Sequence, residues 1–207
     1  MTKVIEKYHE YVDKRGSCIS VFKSVTEYFN IKSAIYPGSY IHITPSLVIP
    51  EMYYVDTDKK ALKFYKNIKT IEQYIEKNKL YDEASKLNFE GIDFTNHLNA
   101  KKSHYDLMIS LYSGFISYHC KSYLKIDGLL LVNDSHGDAT LAYFDPDYAF
   151  VGVVEQENGN IVIMTSDLEK YFKLYKNKEV DISKVRSEMK GPKYRIRTEY
   201  YLFKKIK

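Results

Sequence analysis

The chain has 207 residues, 44% of them apolar and 28% charged, and a net charge of +4. This length supports one substantial core, and the composition is that of a folded domain rather than a disordered chain. No apolar run approaches the roughly 20 residues that cross a bilayer. The start, MTKVIEKYHEYVDKRG, mixes acids and bases without a signal peptide's apolar centre, so a cytoplasmic protein is expected.

The first 30 residues read as two helical stretches broken at Gly16, with Val21, Val25, Tyr28 and Phe29 at helical spacing. A short apolar strand, Ser33 to Tyr36, ends at Pro37-Gly38. Thr44-Pro45 has the form of an N-cap followed by proline, opening a brief helix. Met52 to Val55 predicts a second strand closed by Asp56-Thr57-Asp58, and KKALKFYKNI a helix with Ala61, Phe64, Tyr65 and Ile68 on one face. The charged helix TIEQYIEKN leads to a weak strand around NFEGIDF.

YDLMISLYSG is the clearest buried strand. The helix FISYHCKSYLK follows, with Ile116, Cys120, Tyr123 and Leu124 on one face, and then the buried strand IDGLLLVND after a turn at Asp127-Gly128. Uninterrupted apolar strands alternating with amphipathic helices predict a mostly parallel, doubly wound α/β sheet covered on both faces. The last third predicts a hairpin at Asn158-Gly159, a helix capped by Ser166, a final helix, and an antiparallel strand pair in YRIRTEYYLFKK. One domain over 1–207 is expected: a helical segment to residue 30, a core over 31–135 and a hairpin-rich end over 136–207.

Three stretches in order, AIYPG, YYVDTD and YDLMISLYSG–helix–GLLLVND, make the chain resemble the class I S-adenosylmethionine-dependent methyltransferases, a Rossmann-like family. The resemblance covers roughly residues 30–135. It implies S-adenosylmethionine as cofactor, with Gly38, Ser39, Asp56, Asp93 and Ser110 as candidate contacts. Gly38 would permit a tight turn with no Cβ facing the ligand. Asp56, at a strand end, could accept hydrogen bonds from a ribose diol, or cap the helix that follows, a role open also to Thr57 or Asp58. Asp93 could read the adenine amino group or close a turn.

After Gly38, however, the family's glycine-rich run is replaced by SYIHITPS, with Tyr40 and Ile41 where methionine and ribose need space. His42 could contact the ligand, act as a base, or hold its own loop. G-x-G-x-x-G and a phosphate P-loop are both absent.

Candidate chemistry lies at strand ends: Ser110, Tyr112 and Ser113, and the loop NDSHGD. There His136 could be a base oriented by Asp134 or Asp138. The D-x-H-x-D spacing could instead hold a metal, or the loop could simply be polar, with Asp138 capping ATLAYF. FDPD at 144–147 reads as a proline turn, and Cys18 and Cys120 as buried thiols.

Seven bases, Lys190 to Lys207, crowd the C-terminus against Glu199 alone. They read as a solvated terminal strand or as a phosphate-binding tail. Two functions therefore stand: a methyltransferase of unknown acceptor with an altered cofactor loop, or an inactive binding or assembly module of the same fold; contact with nucleic acid through the basic C-terminus is compatible with either.

Overall fold

The structure, a computed structural model, describes residues 2–175 and 179–207. Its internal contacts divide into two compact units that meet in sequence at Ala100 and Lys101.

The first unit opens with α1 (Lys3–Arg15) and α2 (Ile19–Phe29), separated at Gly16, whose φ of 83° stops the helix. Strands β1 (Ser33–Pro37), β2 (Glu51–Val55) and β3 (Lys86–Glu90) form a parallel sheet in the order β3-β2-β1. Every residue of β1 is buried, as a parallel strand covered on both faces requires. Helices α3 (Lys59–Tyr65) and α4 (Ile68–Asn78) connect β2 to β3. Tyr8 of α1 packs edge-on against Tyr74 of α4, with ring centroids 5.7 Å apart.

Two local expectations shift here. On α2 the buried residues are Val21, Phe22 and Val25, while Tyr28 is 60% exposed and meets Phe29 edge-on. Each such burial contributes about 1.5–3 kcal/mol, so Phe22 takes the anchoring place expected of Tyr28. Thr44 lies inside a 3-10 turn (Thr44–Leu47) and does not cap it. Its hydroxyl is instead engaged with Tyr8 Oη at 2.8 Å.

The second unit carries β4 (Tyr105–Ser110), β5 (Leu124–Val132), β6 (Tyr148–Glu157), β7 (Asn160–Met164) and β8 (Tyr200–Lys205). Their order is β4-β5-β8-β6-β7, parallel between β4 and β5 and antiparallel thereafter. The helix expected after β4 is only α5 (Ile116–His119) and a 3-10 turn, because Leu124 already belongs to β5. The Asp127-Gly128 turn sits within β5 as a register break: Tyr105 pairs with Leu124, and Leu107 with Leu129. Helices α6 (Asp138–Tyr143) and α7 (Ile182–Glu188) complete the unit.

The hairpin falls at Asn158-Gly159, both with positive φ (50° and 83°), the type I′ turn that matches strand twist. Ser166 caps nothing among the described residues, since the 3-10 turn there starts after Asp167. The sequence YRIRTEYYLFKK yields one strand, β8, whose antiparallel partners are β5 and β6. Among the described residues no helix is long and apolar enough to cross a membrane.

Candidate cofactor site

In the first unit the carboxyl ends of β1 and β2 lie side by side, with Pro37 paired to Val55. The chain leaves β1 through Gly38 (φ 66°), whose N–H donates to Val55 O at 2.8 Å. Tyr40 then takes φ 50°, a left-handed conformation that costs a residue with a Cβ about 1–2 kcal/mol. Asp56 offsets that cost: its Oδ2 accepts the Tyr40 N–H at 2.7 Å, and its Oδ1 accepts the Asp58 N–H at 2.7 Å. The helix cap is Asp58, which accepts from Lys60 N at 2.7 Å. Gly38, Ser39 and Asp56 are thus brought together.

Beneath this loop the Ser39 hydroxyl lies against the Tyr65 phenol, and neither completes a hydrogen bond of ordinary geometry. Tyr65 stacks on Phe89 with centroids 4.0 Å apart, and burial raises its phenol well above the usual value.

His42 is buried, and its Nε2 lies 3.0 Å from the Ser17 carbonyl, which can only accept. Nδ1 is then the acceptor facing Tyr36 Oη at 3.3 Å. Rings of Tyr11 and Phe22 enclose the imidazole. Burial depresses its pKa to about 4, so it is a neutral tie between the loop and the α1–α2 junction.

Asp93, three residues beyond β3, is exposed, and its Oδ1 accepts from Thr95 N at 2.9 Å and Thr95 Oγ1 at 2.8 Å. That is the geometry of a turn acid.

In the second unit Ser110 ends β4 and donates its hydroxyl to Asp138 Oδ2 at 2.5 Å. Asp138 also receives Ser117 Oγ at 2.5 Å and Ser117 N at 3.0 Å. It is the first residue of α6, behind Gly137 as N-cap, and is buried instead of capping through its side chain. Burial raises its pKa to about 6. His136 and Asp134 do not form a dyad. His136 Nδ1 meets Ser135 Oγ at 3.0 Å, whereas Asp134 accepts Thr140 N at 2.8 Å and Thr140 Oγ1 at 2.9 Å. Among the described residues, no group of three or more His, Cys, Asp or Glu side chains is placed to hold a metal ion.

Asp134 nevertheless lines a cavity of about 430 Å³ at the ends of β4 and β5, together with Tyr112, Asn133, Lys190, Arg197 and Glu199. Burial raises its pKa to about 6. The Asn133 side-chain nitrogen there is buried without a hydrogen-bond partner among the described residues. Gly191 passes so close to Asp134 that an added Cβ would sit 1.9 Å from its Oδ2.

The C-terminal bases divide. Lys190, Lys193 and Arg197 line this cavity, but Lys205 is buried, its Nζ donating to Leu124 O at 2.9 Å and Lys121 O at 3.1 Å. The FDPD segment is a turn whose Asp145 and Asp147 both pair with Lys121. Cys120 is buried, its thiol pushed up to about 12 by burial, while Cys18 is half-buried.

No protein-family model matches the sequence, and no curated protein matches it. Solved structures do. A methyltransferase from Geobacter sulfurreducens superposes with a TM-score of 0.50 over 79% of this chain and 88% of that one, at 7% identity. A protein from Corynebacterium glutamicum does so with a TM-score of 0.50 over 73% and 85%, at 8% identity. The chain shares the α/β fold of the Geobacter methyltransferase, with the antiparallel strands β6, β7 and β8 in its C-terminal part.

Proposed function

We propose that this chain is an S-adenosylmethionine-dependent methyltransferase that holds its cofactor's ribose at Asp56. One observation carries this reading. The Asp56 carboxylate is fixed at the end of β2 by two backbone N–H groups, one on each oxygen. A carboxylate offers about four acceptor positions, so one on each oxygen is left for a diol. Gly38 turns the chain beside it without a Cβ. These residues fit the ribose half of the cofactor.

S-adenosylmethionine supplies a methyl group activated by a positively charged sulfur. The protein's own part is alignment, and removal of a proton where the acceptor carries one. Within the second unit, Asp134 lines a cavity large enough for a small molecule, and burial raises its pKa to about 6. His136 is not in that lining.

A second reading rests on the Tyr40 ring, which packs on Tyr11 with centroids 5.6 Å apart. If that packing keeps the loop shut, the protein is a non-catalytic module of the same fold. Calorimetric titration of S-adenosylmethionine and S-adenosylhomocysteine separates the two. Binding lost in Asp56→Ala and kept in Asp58→Ala supports the enzyme. No heat from a folded protein leaves the module.

A further inference from the structure

We propose that the cleft between α1 and α3 binds single-stranded nucleic acid. This inference goes beyond methyl transfer and does not depend on it. The cleft encloses about 620 Å³ and lies entirely within the first unit. One wall is α1, where Lys7, Tyr11 and Lys14 recur at the four- and three-residue spacing that stacks side chains on one helix face, with Arg15 at its end. The other wall is α3, which contributes Lys60 and Lys63. All five cations are exposed, and none forms an ion pair among the described residues. Glu10 is the one acid in the lining.

Between the walls lie the half-buried rings of Tyr11 and Tyr40, tilted at 54° with centroids 5.6 Å apart. Buried Phe64 and Ile41 form the base. Cations on both sides of an aromatic floor are the arrangement that tracks a phosphate backbone while bases stack on rings. A small anion would need fewer charges and no rings. A duplex presents phosphates but hides the faces of its bases, leaving Tyr11 and Tyr40 without a partner. The C-terminal bases are a poorer platform, because Lys205 is buried, Arg195 donates to Leu174 O and Arg197 to Pro192 O.

The test is fluorescence anisotropy of a labelled ten-nucleotide thymidine strand, titrated with the intact protein at several salt concentrations. Each phosphate neutralised contributes about −0.7 to the slope of log K against log salt. Engagement of four of the five cations gives a slope of about −2.8. The double variant Lys60→Glu/Lys63→Glu is expected to weaken binding at least about tenfold and to flatten the slope by about 1.4. Tyr11→Ala is expected to cost about tenfold with the slope unchanged, since it removes stacking and no charge. S-adenosylmethionine binding, if present in the parent, persists in the lysine variant, so the two proposals fail separately.

The proposal is overturned by absence of binding at 50 mM salt. It is equally overturned if binding survives Lys60→Glu/Lys63→Glu in a protein of unchanged circular dichroism. Binding lost only in Lys190→Glu/Lys193→Glu moves the site to the C-terminal segment and overturns it too. A duplex bound as tightly as the single strand removes the role given to the rings.

Discussion

The Asp56 carboxylate grips the backbone of Tyr40, accepting its N–H at 2.7 Å across 16 residues of sequence. This contact makes a left-handed tyrosine tenable at the turn that leaves β1. It also sets the orientation of the carboxylate that the proposed ribose would meet.

Asp56→Ala therefore removes two hydrogen bonds to charge. The bond from Tyr40 is half-buried and worth about 1.5–3 kcal/mol, while the exposed bond from Asp58 adds little. The expected outcome is a loss of roughly 2 kcal/mol in urea denaturation, with faster amide exchange at Tyr40. Asp58→Ala costs about 1 kcal/mol through its lost cap and leaves exchange at Tyr40 unchanged.

His42 makes the first unit sensitive to acid. Its folded pKa, about 4, lies below the ordinary histidine value of 6.5, so between these values the unfolded chain binds the extra proton. Stability then rises with pH through that window and is lost as pH falls, by about 3 kcal/mol in all. His42→Gln, which can still donate to Ser17 O, should flatten the dependence. Denaturation midpoints at pH 4.5 and 7 decide the matter: an unchanged difference in the variant rules out His42 as the source.

Asp138 acts with the opposite sign. Its folded pKa, about 6, exceeds the ordinary aspartate value of 3.8, so the native chain holds the extra proton in between. The contribution is complete below the lower value and lost as pH rises through the upper one. Asp138→Asn has no such loss, and the serine hydroxyls can exchange donor and acceptor roles around it. Its stability relative to the parent is expected to improve by about 3 kcal/mol between pH 4 and 7. A constant difference over that range would disprove the assignment.

Gly191→Ala places a Cβ 1.9 Å from Asp134 Oδ2. The segment must shift or the carboxylate must turn, at a cost of about 1–3 kcal/mol. Thermal denaturation should show a lower midpoint, and any activity that uses Asp134 should fall with it.

Much of the fold was legible because periodicity is a local property of the backbone. The buried β1, the fully apolar end of β5 and the Asn158-Gly159 hairpin all follow from strand or turn patterns within a few residues. Where neighbours compete, the pattern misled. FISYHCKSYLK has helical spacing, yet Leu124 is drawn into β5 by pairing with Tyr105. The cationic stripe on α1 was also available, since Lys7, Tyr11 and Lys14 stand at helical spacing. Its counterpart Lys60-Lys63 lies more than 40 residues away, and only folding joins the two walls.

By itself, the amino-acid sequence determined the parallel α/β class, the turn at Gly38 and the acid at the end of β2. Each depends on side-chain alternation and backbone freedom over short spans. Tertiary structure alone decided what those side chains do. Asp56 holds Tyr40, His42 ties to Ser17, Ser110 donates to Asp138, and Lys205 is drawn inward to the carbonyls of Lys121 and Leu124. Such pairings require a buried polar group to find a partner wherever the chain brings one within about 3 Å. That approach is set by packing across the whole unit, not by spacing along the chain.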